Sequence, residues 1–142
     1  MTHTLPSLFG HFPISGFSEI PVDSLAYIGD AVIALRYKLY ILKDGRIKTN
    51  TLNNASKKYL TAHAHSFFID RLNEKNFFDE IEEGIFKRGY NSKGAKKRGN
   101  DEEYRKSTGL EAVIGYLYLS DNYKRLEEIF EVIERCTYMG EM

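Results

Sequence analysis

Two carboxylates stand inside otherwise apolar, helix-like stretches of this 142-residue chain: Asp30 in DSLAYIGDAVIALRYKLY and Glu111 in STGLEAVIGYLYL. Asp30 follows Gly29 and lies between Ile28 and Val32. Glycine and aspartate are both poor helix formers, so local propensity does not explain the pair. We expect limited water access at Asp30, and a buried carboxylate needs a cation or several hydrogen-bond donors. The alternative is an aspartate that faces solvent beside a glycine on which a neighbouring helix packs.

Glu111 repeats the pattern, because Gly109 and Gly115 lie close to it in an even more apolar stretch. Two glycine-flanked carboxylates predict that the two helices pack together and bring Asp30 and Glu111 to one place. Paired carboxylate oxygens suit Mg²⁺, which takes one or two protein carboxylates and keeps several waters. A metal held in this way can activate water and stabilise the transition state of phosphoryl transfer.

The basic segment, residues 87–100 (KRGYNSKGAKKRGN), contains three glycines and no acid. Its six cations are Lys87, Arg88, Lys93, Lys96, Lys97 and Arg98. Since the net charge of the chain is zero, the other residues carry about six net negative charges. Cations that bind phosphates beside a hard metal site indicate a nuclease, and we add Asn91 and Arg105 as further candidate RNA contacts. The alternative is a solvated connection with no binding role.

Three other polar residues carry weaker predictions. His63 and His65 are two positions apart and so point to different faces of a helix, which argues against joint metal ligation. We expect both to be surface or partly packed residues. Asp23 precedes Asp30 by seven residues and lies nearly on its face, where it favours the helix dipole and is a minor candidate for assisting the site.

The elements that must position these residues are predicted to be helices, so the fold class is all-α. All three prolines lie in the first 21 residues, and no segment alternates like a strand with a hairpin turn. The first helix covers 22–42 and ends near Gly45, a plausible C-cap. The remaining predicted helices cover about 50–73, 78–88, 101–120 and 122–136.

Composition predicts one soluble domain with a hydrophobic core. Residues 1–20 are expected to form an irregular arm, and 21–142 a single helical domain. The single cysteine, Cys136, excludes an internal disulfide and a cysteine metal cluster and fits a reducing, cytoplasmic setting. We expect no signal peptide, because the first residues have no basic n-region and are interrupted by Pro6, Gly10, Pro13 and Gly16. We expect no contact with a membrane, because no segment has about 18 apolar residues free of charge.

Three motifs together resemble one known family. LAYIGDAV, KRGYNSK and YRKSTGLEAVIGYLYL occur in the order and spacing of the Mini-ribonuclease III family, over residues from about 21 to 134. These enzymes are dimeric relatives of the ribonuclease III catalytic domain. The resemblance implies a helical endonuclease domain without the appended double-stranded-RNA-binding domain, and Mg²⁺-dependent maturation of the ends of 23S ribosomal RNA.

The resemblance also assigns roles to individual positions. Asp30 matches the catalytic aspartate of the family and Glu111 its metal-binding glutamate. Full-length ribonuclease III has further acids where this chain has Ala26 and Thr108, and the short family is similar to this chain in lacking both.

The leading hypothesis is therefore a homodimeric endoribonuclease that cuts double-stranded RNA of the ribosomal RNA precursor and leaves 5′-phosphate and 3′-hydroxyl ends. One Asp30–Glu111 centre cuts one strand, so a two-fold pair supplies the second cut. The apolar surplus of the first helix, with Tyr116 and Tyr118, is a candidate interface. A non-catalytic RNA-binding helical domain is the main alternative, and a purely structural helical dimer is another.

Overall fold

The computed structural model describes residues 11–43, 45, 48–97 and 99–138, without the side chains of the last two. Arg98 and the first half of the predicted arm lie outside the described residues. Within these ranges the chain forms a short 3₁₀ turn, Phe17–Glu19, and α-helices but no strand, which confirms the all-α prediction. The helices are α1 Val22–Leu42, α2 Thr49–Leu60, α3 Ala62–Glu74, α4 Glu80–Tyr90, α5 Lys93–Lys96, α6 Glu102–Leu119 and α7 Tyr123–Tyr138.

Helix α6 is the central element of the fold. It packs against α1, α3, α4, α5 and α7. The side chains of Leu110, Val113, Ile114 and Leu117 on α6 are essentially inaccessible to solvent. Burial on nearly all sides explains why this stretch is almost continuously apolar rather than amphipathic. Any polar residue in its middle, such as Glu111, is therefore held by a rigid scaffold.

Helix α1 has the predicted bounds, but the predicted helix over 50–73 is two helices. Thr61 separates α2 from α3 with extended backbone angles (φ −93°, ψ 159°). Its hydroxyl accepts a hydrogen bond from the Ala64 amide at 3.1 Å and so caps α3. Apolar periodicity continues through both helices, so the spacing alone suggested one. The capping threonine is the local cause of the break.

The predicted helix over 78–88 begins and ends two residues later, as α4. Asp79 accepts from the Glu82 amide, and the Glu82 side chain accepts from the Asp79 amide, which forms a capping box. This reciprocal pair fixes the first turn of α4. The two last helices, α6 and α7, follow their predicted ranges closely.

The basic segment is not simply a loop, because it contains the short helix α5. Ser92 caps α5 by accepting from the Ala95 amide at 3.1 Å. Ala95 is fully buried, whereas Lys93, Lys96 and Lys97 are exposed. The buried alanine anchors α5 to the domain and leaves the lysines in solvent.

The described part of the predicted arm lies against the far end of α6. His11 Nε2 is 2.9 Å from Asp121 Oδ1, and the Phe17 ring lies 5.7 Å from the Tyr116 ring. Among the described residues, no helix has the length and apolar character that crossing a membrane requires.

Candidate active site

A cleft of about 540 Å³ lies where α1 crosses α6, and both Asp30 and Glu111 line it. Asp30 comes from the middle of α1 and Glu111 from the middle of α6. The two carboxylates that the sequence singled out, 81 positions apart in the chain, therefore share one solvent-filled space. The cleft is open on one side, so a polymer can approach both.

Asp30 corrects one sequence-based expectation, because its side chain is exposed rather than shielded from water. Gly29, its neighbour, is the buried residue and faces α6. A helix turns by about 100° per residue, so the buried Gly29 leaves Asp30 at the edge of the contact. The apolar neighbours in the sequence lie on other faces of α1. Because Asp30 is exposed, folding does not remove its carboxylate from water.

Glu111 is the buried member of the pair, with 17% of its side chain exposed. Burial raises the pKa of Glu111 above its ordinary value. His65 lowers this pKa in part, and the negative charge of Asp30 raises it further. Because the charge of Asp30 opposes ionisation of Glu111, a proton or a cation at Glu111 would relieve this repulsion.

Sequence reasoning missed two polar residues beside Glu111, namely His65 and Ser107. His65 on α3 is only 1% exposed, and its Nδ1 lies 2.8 Å from Ser107 Oγ and 3.4 Å from Glu111 Oε2. We expected His65 to be a surface or partly packed residue, which is wrong. Its position one turn before Phe68 and Ile69, both buried, was the available signal. His63 does lie at the surface, 73% exposed, where it pairs with Glu103.

The basic segment carries exposed cations on α4 and α5, and α5 contributes a residue to the lining of the cleft. The side chains of these cations extend from the end of α4 and from α5, and are Lys87, Arg88, Lys93, Lys96 and Lys97. Gly94 on α5 lines the cleft itself, and a Cβ added there would lie 2.9 Å from Asp23 Oδ1. This contact places α5 at the rim of the cleft, beside the first turn of α1.

Asn91 and Arg105 have a different environment from these lysines. The Arg105 guanidinium donates to the carbonyl oxygen of Tyr90 (3.0 Å) and to the side-chain oxygens of Asn91 and Asn100 (2.9 Å each). It also lies 4.0 Å from the centre of the Tyr90 ring. Arg105 therefore joins α6 to both ends of the basic segment. Its donors are directed at the protein.

Among the described residues, no group of three or more His, Cys, Asp or Glu side chains is arranged to hold a metal ion. A closed metal site of the zinc type needs four protein ligands. Mg²⁺ has a different requirement, since one or two carboxylates with waters and substrate phosphates suffice. The Asp30–Glu111 pair fits this second class.

Comparisons with known proteins agree with this geometry. The ribonuclease III domain family matches residues 23–122, which include all but the first residue of α1, the basic segment and all of α6. This chain belongs to the ribonuclease III domain family. A Mini-ribonuclease 3 of Kosmotoga olearia is 40% identical over 116 residues, 82% of this chain and 79% of the relative. One of Staphylococcus aureus is 40% identical over 112 residues, 78% and 84% of the two chains. The resemblance to the Mini-ribonuclease III family is thus confirmed, and the chain is an endoribonuclease.

A solved structure supports the fold of this ribonuclease III domain. The crystal structure of a Fusobacterium nucleatum protein aligns with a TM-score of 0.72 and 27% sequence identity. The alignment covers 86% of this chain and 98% of that one. The Fusobacterium nucleatum protein therefore has the same arrangement of helices over nearly its whole length.

The structure places the two positions at which the resemblance implies acids in full-length ribonuclease III. Ala26 and Thr108 are buried, and both line the cleft. The carboxylates that line the cleft are those of Asp23, Asp30 and Glu111. Asp23 is exposed in the first turn of α1, next to α5.

Proposed function

We propose that this endoribonuclease hydrolyses double-stranded RNA with the help of Mg²⁺ held by Asp30 and Glu111. The observation that supports this most directly is their position in one open cleft, with α5, which carries exposed lysines, at its rim. Cleavage of a nucleic-acid backbone requires cations that bind phosphates beside carboxylates that hold a metal ion.

The donor set supports Mg²⁺ as the cofactor. Both residues offer carboxylate oxygens, the ligands that Mg²⁺ prefers, and Glu111 is more difficult to ionise beside Asp30 than it would be alone. A divalent cation would offset this repulsion. When bound, the cation would lower the pKa of a water and neutralise charge on the phosphate that is attacked. Asp30 and Glu111 hold the cation, and their fixed helices set its place relative to the substrate.

The basic segment supplies the contacts to the RNA backbone. A-form RNA exposes phosphates and 2′-hydroxyls, and its deep major groove hides the base edges, so recognition is by shape and charge. The exposed cations available for these contacts are Lys87 and Arg88 at the end of α4 and the lysines of α5. Arg98 extends the same series in the sequence.

Asn91 and Arg105 have a positioning role in this proposal. The hydrogen bonds of Arg105 hold both ends of the basic segment against α6. Fixing the segment reduces the conformational entropy that RNA binding would otherwise remove. These two residues thus act on RNA through the lysines that they place.

A homodimer is the assembly we propose, because the face of α1 away from the core is apolar. Leu35 is 59% exposed and Leu39 57%. A depression of about 450 Å³ on the same side is lined by Ile28, Val32, Leu35 and Tyr118, among others. A two-fold pair would cover this face and direct one Asp30–Glu111 centre to each strand of a duplex.

The substrate we propose is the precursor of 23S ribosomal RNA, on the basis of the resemblance to the Mini-ribonuclease III family. In-line attack by water on the phosphorus, with cleavage of its bond to the 3′-oxygen, would leave 5′-phosphate and 3′-hydroxyl ends. The reaction is hydrolysis, so no further cofactor is required.

The test uses the purified full chain, a double-stranded RNA stem, and either Mg²⁺ or a chelator. Cleavage is expected only with Mg²⁺. Asp30→Asn and Glu111→Gln keep the side-chain shapes and remove the charges, so both should bind RNA and fail to cut it. Binding without cleavage by the wild type would instead support a non-catalytic RNA-binding domain. Wild-type cleavage rates in Asp30→Asn under single-turnover conditions would overturn the metal assignment.

A further inference from the structure

His65 makes a set of hydrogen bonds that fixes its proton. Its Nε2 lies 2.8 Å from the carbonyl oxygen of Tyr59, which can only accept, so Nε2 carries hydrogen. In the neutral ring, Nδ1 is then an acceptor, and the Ser107 hydroxyl at 2.8 Å donates to it. The imidazole therefore links the last turn of α2 to α6 from its position in α3.

Ser107 stands between His65 and Glu111 on α6. It precedes Glu111 by one helical turn, and its Oγ lies 3.4 Å from Glu111 Oε2. His65 Nδ1 is also 3.4 Å from this same oxygen. One oxygen of the Glu111 carboxylate thus lies in a recess formed by an imidazole and a hydroxyl. The one hydrogen of the Ser107 hydroxyl can be donated to His65 Nδ1 or, when the hydroxyl rotates, to Oε2, whereas Nδ1 of the neutral imidazole has no hydrogen to donate.

A purely structural role explains this arrangement poorly. His65 is 1% and Ser107 5% exposed, and burial of polar groups in a core costs free energy that an aliphatic pair of similar size would avoid. Their hydrogen bonds offset the cost without requiring Glu111. Yet Ser107 lines the cleft together with Glu111, and His65 lies within hydrogen-bond distance of the Ser107 hydroxyl.

We propose that His65 and Ser107 are positioning residues that orient the Glu111 carboxylate for a divalent cation. Ser107 can donate to Oε2 and His65 fixes the place of the Ser107 hydroxyl, so that the carboxylate is kept in one orientation in which it would bind a cation. The inference depends on the proposed role of Glu111 as a metal ligand. Carboxylates that bind metals are commonly held by such outer partners, and loss of one typically lowers metal affinity or activity about 10–100-fold.

The test measures divalent-cation binding to the RNA-free protein, with Mn²⁺ as a paramagnetic probe in place of Mg²⁺. The signal of free Mn²⁺ in electron paramagnetic resonance gives the dissociation constant. His65→Leu fills the space without polar atoms, and Ser107→Ala removes only the hydroxyl. Both are expected to weaken Mn²⁺ binding, within the range of about 10–100-fold that outer partners contribute. The Mg²⁺ concentration at half-maximal cleavage should rise in parallel.

Two further variants separate positioning from packing. His65→Gln can still donate to the Tyr59 carbonyl oxygen and accept from Ser107, so it should restore most of the Mn²⁺ affinity that His65→Leu loses. His63→Leu is the matched control, since His63 lies on the same helix, is 73% exposed and pairs with Glu103. It should bind Mn²⁺ like the wild type.

The outcomes distinguish this inference from the proposed function. Asp30→Asn and Glu111→Gln must lose Mn²⁺ binding, and if they retain it the proposed function itself fails. If they lose it while His65→Leu and Ser107→Ala bind Mn²⁺ with wild-type affinity, the positioning role is overturned. Should His65→Leu lower the melting temperature strongly, Ser107→Ala decides alone. Equal loss in His65→Gln and His65→Leu would show a packing effect and also overturn the inference.

Discussion

Gly29 of α1 and Gly115 of α6 face each other where the two helices touch backbone to backbone. A Cβ on Gly29 would overlap the carbonyl oxygen of Glu111 and lie 2.9 Å from the Gly115 amide nitrogen. A Cβ on Gly115 would overlap the carbonyl oxygen of Leu25 and lie 3.0 Å from the Gly29 amide nitrogen. Neither position has room for any side chain. Only glycine at both positions allows the two helix backbones to approach this closely.

This contact explains why a helix-disfavouring glycine stands beside Asp30. Close approach of the backbones brings the residue after Gly29 and the residue one turn before Gly115 to the same cleft. The cost of glycine in a helix is about 1 kcal/mol at each site, small against the packing of α1 on α6. Asp30 and Glu111 are thus placed by their neighbours.

We predict that Gly29→Ala and Gly115→Ala strongly destabilise the protein. The added methyl groups meet backbone atoms, which cannot rotate away, so the cost should reach or exceed the ~1–3 kcal/mol typical of overpacking. The measurement is the free energy of unfolding in urea. Gly84→Ala is the matched control, because Gly84 is exposed in α4 and a Cβ there meets no atom within 4 Å. This control should be neutral or stabilise by up to ~1 kcal/mol. Wild-type stability in both core variants would contradict the backbone contact.

Neutralising the lysines of α5 is expected to weaken RNA binding through its electrostatic component. Lys96→Gln with Lys97→Gln should raise the dissociation constant for double-stranded RNA. The slope of its logarithm against the logarithm of salt concentration should fall by up to about 0.9 for each lysine–phosphate pair that the variant removes, with duplex DNA as the guide. Cleavage at saturating RNA should change much less.

The control for this experiment removes two cations from α7. Lys124 and Arg135 are exposed on α7, outside the basic segment, and neither lines the cleft. Lys124→Gln with Arg135→Gln makes the same change in net charge. An equal fall of the salt slope in both double variants would show that α5 has no special role.

Leu35→Glu is predicted to prevent formation of the homodimer. A charge at this 59%-exposed apolar position would have to be buried in the proposed interface, which is strongly unfavourable without a partner. Sedimentation equilibrium at micromolar concentration should show a dimer for the wild type and a monomer for the variant. Ile81→Glu is the control, since Ile81 is 62% exposed on α4 and should tolerate the charge as a dimer. A monomeric wild type that still cuts both strands would overturn the proposed assembly.

Glu111→Gln is predicted to change the pH dependence of stability in the metal-free protein. Because burial raises the pKa of Glu111 in the folded state, the folded chain binds this proton more tightly than the unfolded chain. The free energy of unfolding therefore falls as pH rises through the folded pKa, and the variant lacks this loss. With chelator present, the melting temperature of the variant relative to wild type should increase from acidic to neutral pH. A difference that is constant over this range would show that Glu111 does not titrate with a raised pKa.

Much of the fold could be predicted because its determinants are local. The prolines before residue 22 and the apolar spacing after it are sufficient for the bounds of α1, and continuous apolar character marks α6 as a buried helix. The break at Thr61 was missed, since a capping hydroxyl changes one pair of backbone angles without altering the periodicity. Helix α5 was missed because its anchor is a single buried alanine.

The sequence by itself determined which two carboxylates share a site, since each was a polar exception beside glycines in an apolar helix. It also determined where the cations are concentrated. Only the tertiary structure decided that Asp30 is exposed while Glu111 is buried, and that His65 and Ser107 lie beside Glu111. The reason is physical: exposure and hydrogen-bond partners depend on the crossing of α1, α3 and α6, which are distant in the chain. Periodicity shows which face of a helix is apolar. Which helix covers that face depends on how all the helices pack together.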